Sequence, residues 1–224
     1  MFEKIAQKNW WKIIGVLLVA YTIVAGFLLP VPRLPILNET IRNLYYHVPA
    51  WFAMIFLMTV SLYASIRYLL DSHSQWDLLA YEASRTGIIF SVFGLITGMV
   101  WANYTWGTPW TNDPKLNGVA VALLFYAAYF LLRQGVSDEQ KKARLSAVYN
   151  IFAYAMLILF VMILPRQTSS LHPGNGGNPG FNKYDLDSNM RLVFYPAVFG
   201  WILIATWIMS IRIRLQNVID ANEK

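Results

Sequence analysis

Trp11-Lys-Ile-Ile-Gly-Val-Leu-Leu-Val-Ala-Tyr-Thr-Ile-Val-Ala-Gly-Phe-Leu-Leu29 carries a single charge, next to its first residue. At about 1.5 Å per helical residue, a run of this length covers the roughly 30 Å hydrocarbon layer of a bilayer. Lys4, Lys8 and Lys12 lie before or at its start, as in a secretory signal. The apolar stretch is too long for one, however, and no A-x-A pattern comes before Pro30, so it reads as a retained span. Five further runs of this kind follow: Val48–Leu70, Thr86–Ala102, Leu116–Leu132, Ala147–Leu164 and Leu192–Ile211. Backbone amides find no water in lipid, so each run must close its hydrogen bonds internally as a helix. The expectation is an all-α integral membrane protein, one six-helix membrane domain over residues 1–224.

Composition agrees. Apolar residues make up 57% of the chain and charged residues 13%, against about 45–50% and about 25% in soluble globular domains. The net charge of +6 would suit nucleic acid in a soluble chain, but here it follows from basic loops, and no nucleic-acid partner is expected. The N-terminus, the turns at 67–85 and 133–146 and the C-terminus hold twelve of the 18 basic residues. The positive-inside rule then puts both termini in the cytoplasm and the loops at 30–47, 103–115 and 165–191 outside. No cysteine is present, which excludes disulfides, thiolate metal sites and a CxxCH haem attachment. No GxxxxGK, GxSxG, HExxH or GxGxxG occurs, so an ATPase engine or a familiar soluble catalytic site is unsupported.

The outer loops hold the chemistry. His73 lies in the charged turn Asp71-Ser-His-Ser-Gln75, where no role is expected of it. His47 opens the second span, with Pro49 suited to a first helical turn. His172 follows the fifth span on the same side and begins the Gly- and Pro-rich run His172–Gly180, irregular by composition. Singly, each reads as a boundary histidine. Together they fit an axial pair for a flat metal macrocycle better than a zinc site, which would need a third ligand. Between them lies Trp101-Ala-Asn-Tyr-Thr-Trp106-Gly-Thr-Pro-Trp110-Thr-Asn-Asp113-Pro-Lys115. Isolated tryptophans there would be an aromatic belt, yet the interleaved Gly107, Pro109 and Asp113 suit a shelf for a porphyrin face. Arg42, Lys115 and Arg166 either snorkel at the interface or pair with propionates. Gly94 and Gly98, a GxxxG in the third span, signal close helix packing.

On these residues the chain resembles the cytochrome c assembly family, in the haem-handling protein C branch of system I maturation (the CcmC type, related to CcsA). The matching features are six spans with both ends inside, Trp106-Gly-Thr-x-Trp110-x-x-Asp113, His47 before span two and His172 after span five. The family loop is usually read WGxxWxWD. Here Asn112 stands where its last Trp is expected, Pro109 where a ring is common and Lys115 where Arg is usual.

The resemblance implies a carrier rather than an enzyme, in a bacterial inner membrane. Haem b, bound non-covalently at the outer face, would have His47 and His172 as axial ligands and Trp106, Gly107, Trp110 and Asp113 as its platform. It also implies transfer to a membrane-tethered haem chaperone, working with ABC-type transporter subunits and a small membrane subunit. Motion of the 165–191 loop, eased by Gly176 and Gly177, would release the cargo. A bis-His b-type electron carrier would place histidines inside the spans. A permease moving haem or another solute would show mid-membrane charges or broken helices. A purely structural anchor would not need paired outer histidines.

Overall fold

The computed structural model describes residues 8–34, 36–172 and 186–222. Helices α1 (Trp10–Leu28), α2 (Leu44–Asp71), α3 (Ser74–Trp106), α4 (Pro114–Gln134) and α5 (Glu139–Ile158) follow one another. A π turn, Leu159–Ile163, carries α5 into the short α6 (Leu164–Gln167), and α7 (Ser188–Asn222) ends the chain. A 3-10 helix, Asn38–Asn43, leads into α2. Six of these helical stretches, α5 to α6 counted as one, are long and apolar enough to cross a membrane, and no strand is found among the described residues. The expectation of an all-α membrane fold therefore holds. α2 is the central helix, packed on α3, α5 and α7, while α1 lies along α7 and α4 along α5.

Several helices outrun the apolar stretches that announce them, because their ends are capped by polar side chains. The His73 ring accepts from the Gln75 amide and starts α3 well before Thr86. Asp138 accepts from the Lys141 amide at 2.6 Å and starts α5. At the other end of α3, Gly107 takes φ 78°, a left-handed conformation that costs glycine nothing, and its amide closes on the Asn103 carbonyl. Trp106 is thus the last residue of a helix, not part of a loop. His47, expected in the 30–47 loop, likewise lies in the first turn of α2.

Three prolines sit inside the helical stretches, the one from α5 to α6 counted as continuous, and each leaves a carbonyl without its usual donor four residues back. For Pro196 in α7 that carbonyl is Leu192, and the Tyr21 hydroxyl of α1 donates to it at 3.2 Å. For Pro165 it is Val161, and there the helix widens into the π turn instead of ending as the apolar run suggests. Pro49 stands in the sixth position of α2, which continues through it.

At the end away from His47 the bundle buries charge in pairs. Glu82 of α3, fully buried, accepts from Arg212 of α7 at 2.6 Å and from Arg85 at 3.1 Å. Arg133 of α4 forks onto Asp77 of α3 at 2.6 and 2.8 Å, with its guanidinium over the Tyr81 ring. Asn150 of α5 donates to Ser61 and Ser65 of α2. These bonds tie α3 to α4 and α7, and α2 to α5, and the Ser61 hydroxyl joins the two sets by donating to the Ala80 carbonyl of α3 at 2.6 Å.

Candidate functional site

At the opposite end of the bundle, the first turns of α2, the last turns of α3, the start of α4 and the π turn with α6 surround a cavity of about 170 Å³. Its walls are mostly apolar, from Val48, Phe52, Ile55, Leu95, Leu116, Val119, Val161 and Met162. The polar and aromatic groups that converge on it are His47, His172, Trp51, Trp101, Lys115 and Arg166. Apolar walls with a few convergent polar groups are the usual form of a small-molecule site. The two histidines, 125 positions apart in the chain, line the same space.

The His47 ring lies in the groove that α3 leaves open at its glycines. Its Nδ1 is 2.9 Å from the Gly94 carbonyl oxygen and 3.2 Å from Thr97 Oγ1. A carbonyl can only accept, so Nδ1 carries the proton and Nε2 keeps its lone pair. A β-carbon on Gly98 would stand 2.7 Å from His47 Cε1, and one on Gly94 would meet the Trp51 ring at the same distance. The GxxxG pair does mark close packing, but what packs there are the imidazole and an indole of α2. Trp51 and Trp101 flank the imidazole edge-on, with centroids 6.1 and 6.0 Å away, and the Trp101 indole N–H is tied to Thr40 Oγ1.

His172 is held differently. Its Nδ1 is 3.0 Å from Oδ1 of Asp113, which is 3% exposed. The same carboxylate accepts from the Lys115 amide at 2.9 Å, capping α4 ahead of Pro114, from the Leu171 amide at 2.7 Å and from the Ser170 hydroxyl. Trp106 packs edge-on against the His172 ring at 5.0 Å. Burial pushes the His172 imidazole below its ordinary value of 6.5, the pull of Asp113 offsetting this only in part, so the ring is neutral at pH 7. Burial works the other way on Asp113, but the amides of Leu171 and Lys115 and the Ser170 hydroxyl outweigh it and hold the carboxyl below its ordinary range. A neutral imidazole with a fixed Nδ1–H is the form that ligates a metal through Nε2.

The remaining expected residues divide. Lys115 and Arg166 line the cavity. Arg42 does not: its guanidinium donates to the Gly26 and Leu29 carbonyls at 2.7 Å and pairs with Glu39, so it caps the end of α1. Trp110 is 39% exposed and outside the lining, and Gly107 stands in open space. Trp101, which opens the tryptophan-rich stretch, lines the cavity, while Trp51, Gly94, Gly98, Thr97 and Ser170 complete the site without having been expected in it. The i, i+4 spacing of His47 with Trp51, and of Gly94 with Gly98, was the available signal. The glycines of the run after His172, Gly176 and Gly177 among them, lie outside the described residues.

The sequence is similar to known proteins along most of its length. The family model described as Heme exporter protein C matches residues 1–223. The chain belongs to this family. Relatives named Heme exporter protein C include that of Rhodobacter capsulatus, 28% identical over 80% of this chain and 74% of the relative. That of Paracoccus denitrificans is 27% identical over 92% and 85%. A Cytochrome c biogenesis protein CcsA of Prochlorococcus marinus is 36% identical over a shorter stretch, 42% of this chain and 30% of its own length. As a Heme exporter protein C family member with six helices able to span a membrane, the chain is a component of cytochrome c biogenesis.

Proposed function

We propose that the protein holds haem b non-covalently in the cavity between His47 and His172 and hands it to a membrane-tethered chaperone. The observation that carries this reading is that two neutral-type imidazoles, each with Nδ1 committed to an acceptor, line one mostly apolar cavity at one end of the bundle. Apolar walls suit a porphyrin face, Trp51 and Trp101 offer rings for it, Trp106 backs the His172 ring, and Lys115 and Arg166 supply positive charge for propionates. Trp110, 39% exposed, would meet whatever receives the cargo. The basic turns put the opposite end of the bundle, with both termini, in the cytoplasm, so the cavity faces the outer side of a bacterial inner membrane. The protein works there beside ABC-type transporter subunits and a small membrane subunit of the maturation complex. Its role is to carry: the site holds the cargo in place, and no step of bond making is assigned to its residues.

The test is the absorption spectrum of the full chain purified in detergent and titrated with haem. The native protein should give a low-spin, six-coordinate signal, and His47→Ala and His172→Ala should each lose it. His73→Ala should leave it intact, because His73 caps α3 at the far end. A signal that survives both cavity variants, or that disappears with His73, overturns the reading.

A further inference from the structure

The two imidazoles are tethered by acceptors of different character. His47 donates to a neutral carbonyl within a helix, whereas His172 donates to a buried carboxylate. That carboxylate caps α4, yet it gathers three consecutive residues of a segment beyond α6: the Ser170 hydroxyl at 2.9 Å, the Leu171 amide at 2.7 Å and His172 Nδ1 at 3.0 Å. The Ser170 oxygen in turn accepts from the His172 amide at 3.1 Å, closing the set of bonds. Residues 168–172 form no helix of their own, so the second ligand is oriented by these hydrogen bonds to Asp113, with the Trp106 ring packed against its side.

We propose that Asp113 is the positioning residue of His172, docking the ligand-bearing segment on the start of α4 and making His172 the more basic of the two ligands. The proposal rests on the haem reading above and gives Asp113 a task distinct from that of a platform under the porphyrin. An ionised acceptor on the far nitrogen of an imidazole fixes its tautomer and raises its donor strength more than a neutral one does. The electron-rich side of the pair is therefore the His172 side, and the oxidised iron gains most from it.

Asp113→Asn and Asp113→Ser separate this role from simple helix capping, since both replacements still cap α4. Each should weaken haem binding by about 10- to 100-fold, the usual cost of removing such a partner. Asp113→Asn should raise the midpoint potential of the bound haem. Asp113→Ser should shift the spectrum toward five-coordinate, and added imidazole should restore the six-coordinate form. A readout without haem is the ¹⁵N-histidine spectrum of the full chain in detergent. It should show His172 protonated at Nδ1 in the native protein and a mixture of tautomers in Asp113→Ser. If His172→Ala is itself silent, the haem reading fails and the proposal fails with it. If His172→Ala loses its ligand while both Asp113 variants keep native affinity, potential and tautomer, only the role of Asp113 is overturned.

Discussion

With haem held as proposed, Gly98→Ala should strip the iron of its His47 ligand while leaving the bundle folded. The added methyl would stand 2.7 Å from His47 Cε1, closer than non-bonded carbons can approach. The ring cannot slide away freely, because its Nδ1 is fastened to the Gly94 carbonyl one turn earlier on the same helix and Trp51 and Trp101 close its edges. Overpacking of this kind costs about 1–3 kcal/mol, and the cheapest relief is to swing the imidazole out and give up its hydrogen bond. At about 1.4 kcal/mol per tenfold, haem affinity should fall about 10- to 100-fold, with a shift from the low-spin to the high-spin spectrum. Haem titration of the purified variant checks this, and native affinity with a native spectrum would mean that Gly98 does not set the ring's position.

Gly118→Ala should be worse for the fold. Gly118 lies against the backbone of the π turn, and a β-carbon there would overlap the Phe160 carbonyl oxygen. A flexible side chain could rotate away, but a carbonyl within a helix cannot, so α4 and α5 must separate. A cost of about 3 kcal/mol or more is expected, at the upper end for overpacked cores. It should appear as a lowered thermal midpoint in detergent with or without haem. Because Leu116 and Val119 on one side, and Val161 and Met162 on the other, are facing walls of the cavity, haem binding should fall as well. An unchanged midpoint would show that the two helices have room to spare.

The membrane fold is legible in the residues because lipid leaves so few choices: an apolar run of sufficient length has to be a helix. What composition could not show is where the helices end, since those ends depend on single caps such as His73, Asp138 and Gly107. The paired histidines could be recognised from their order around the tryptophan-rich stretch. The groups that hold them could not, because Asp113 meets Ser170, Leu171 and His172 across 57 to 59 positions of chain. Trp51 looks like an ordinary span residue until the fold turns it toward His47. Arg42 shows the converse: its charge suits a propionate, but the nearest need for it is the bare end of α1.

The π turn has a geometric effect that reaches beyond its own five residues. An α-helix advances about 100° per residue, and a π turn accommodates one residue more than the ladder around it. Everything after Ile163 is therefore rotated by roughly that angle from where an uninterrupted helix would aim it. Arg166 lines the cavity after that rotation; on a regular helix it would be directed about a quarter of a revolution away. Pro165, which denies Val161 a donor and favours the wider turn, thus helps decide the direction in which its neighbouring guanidinium is delivered.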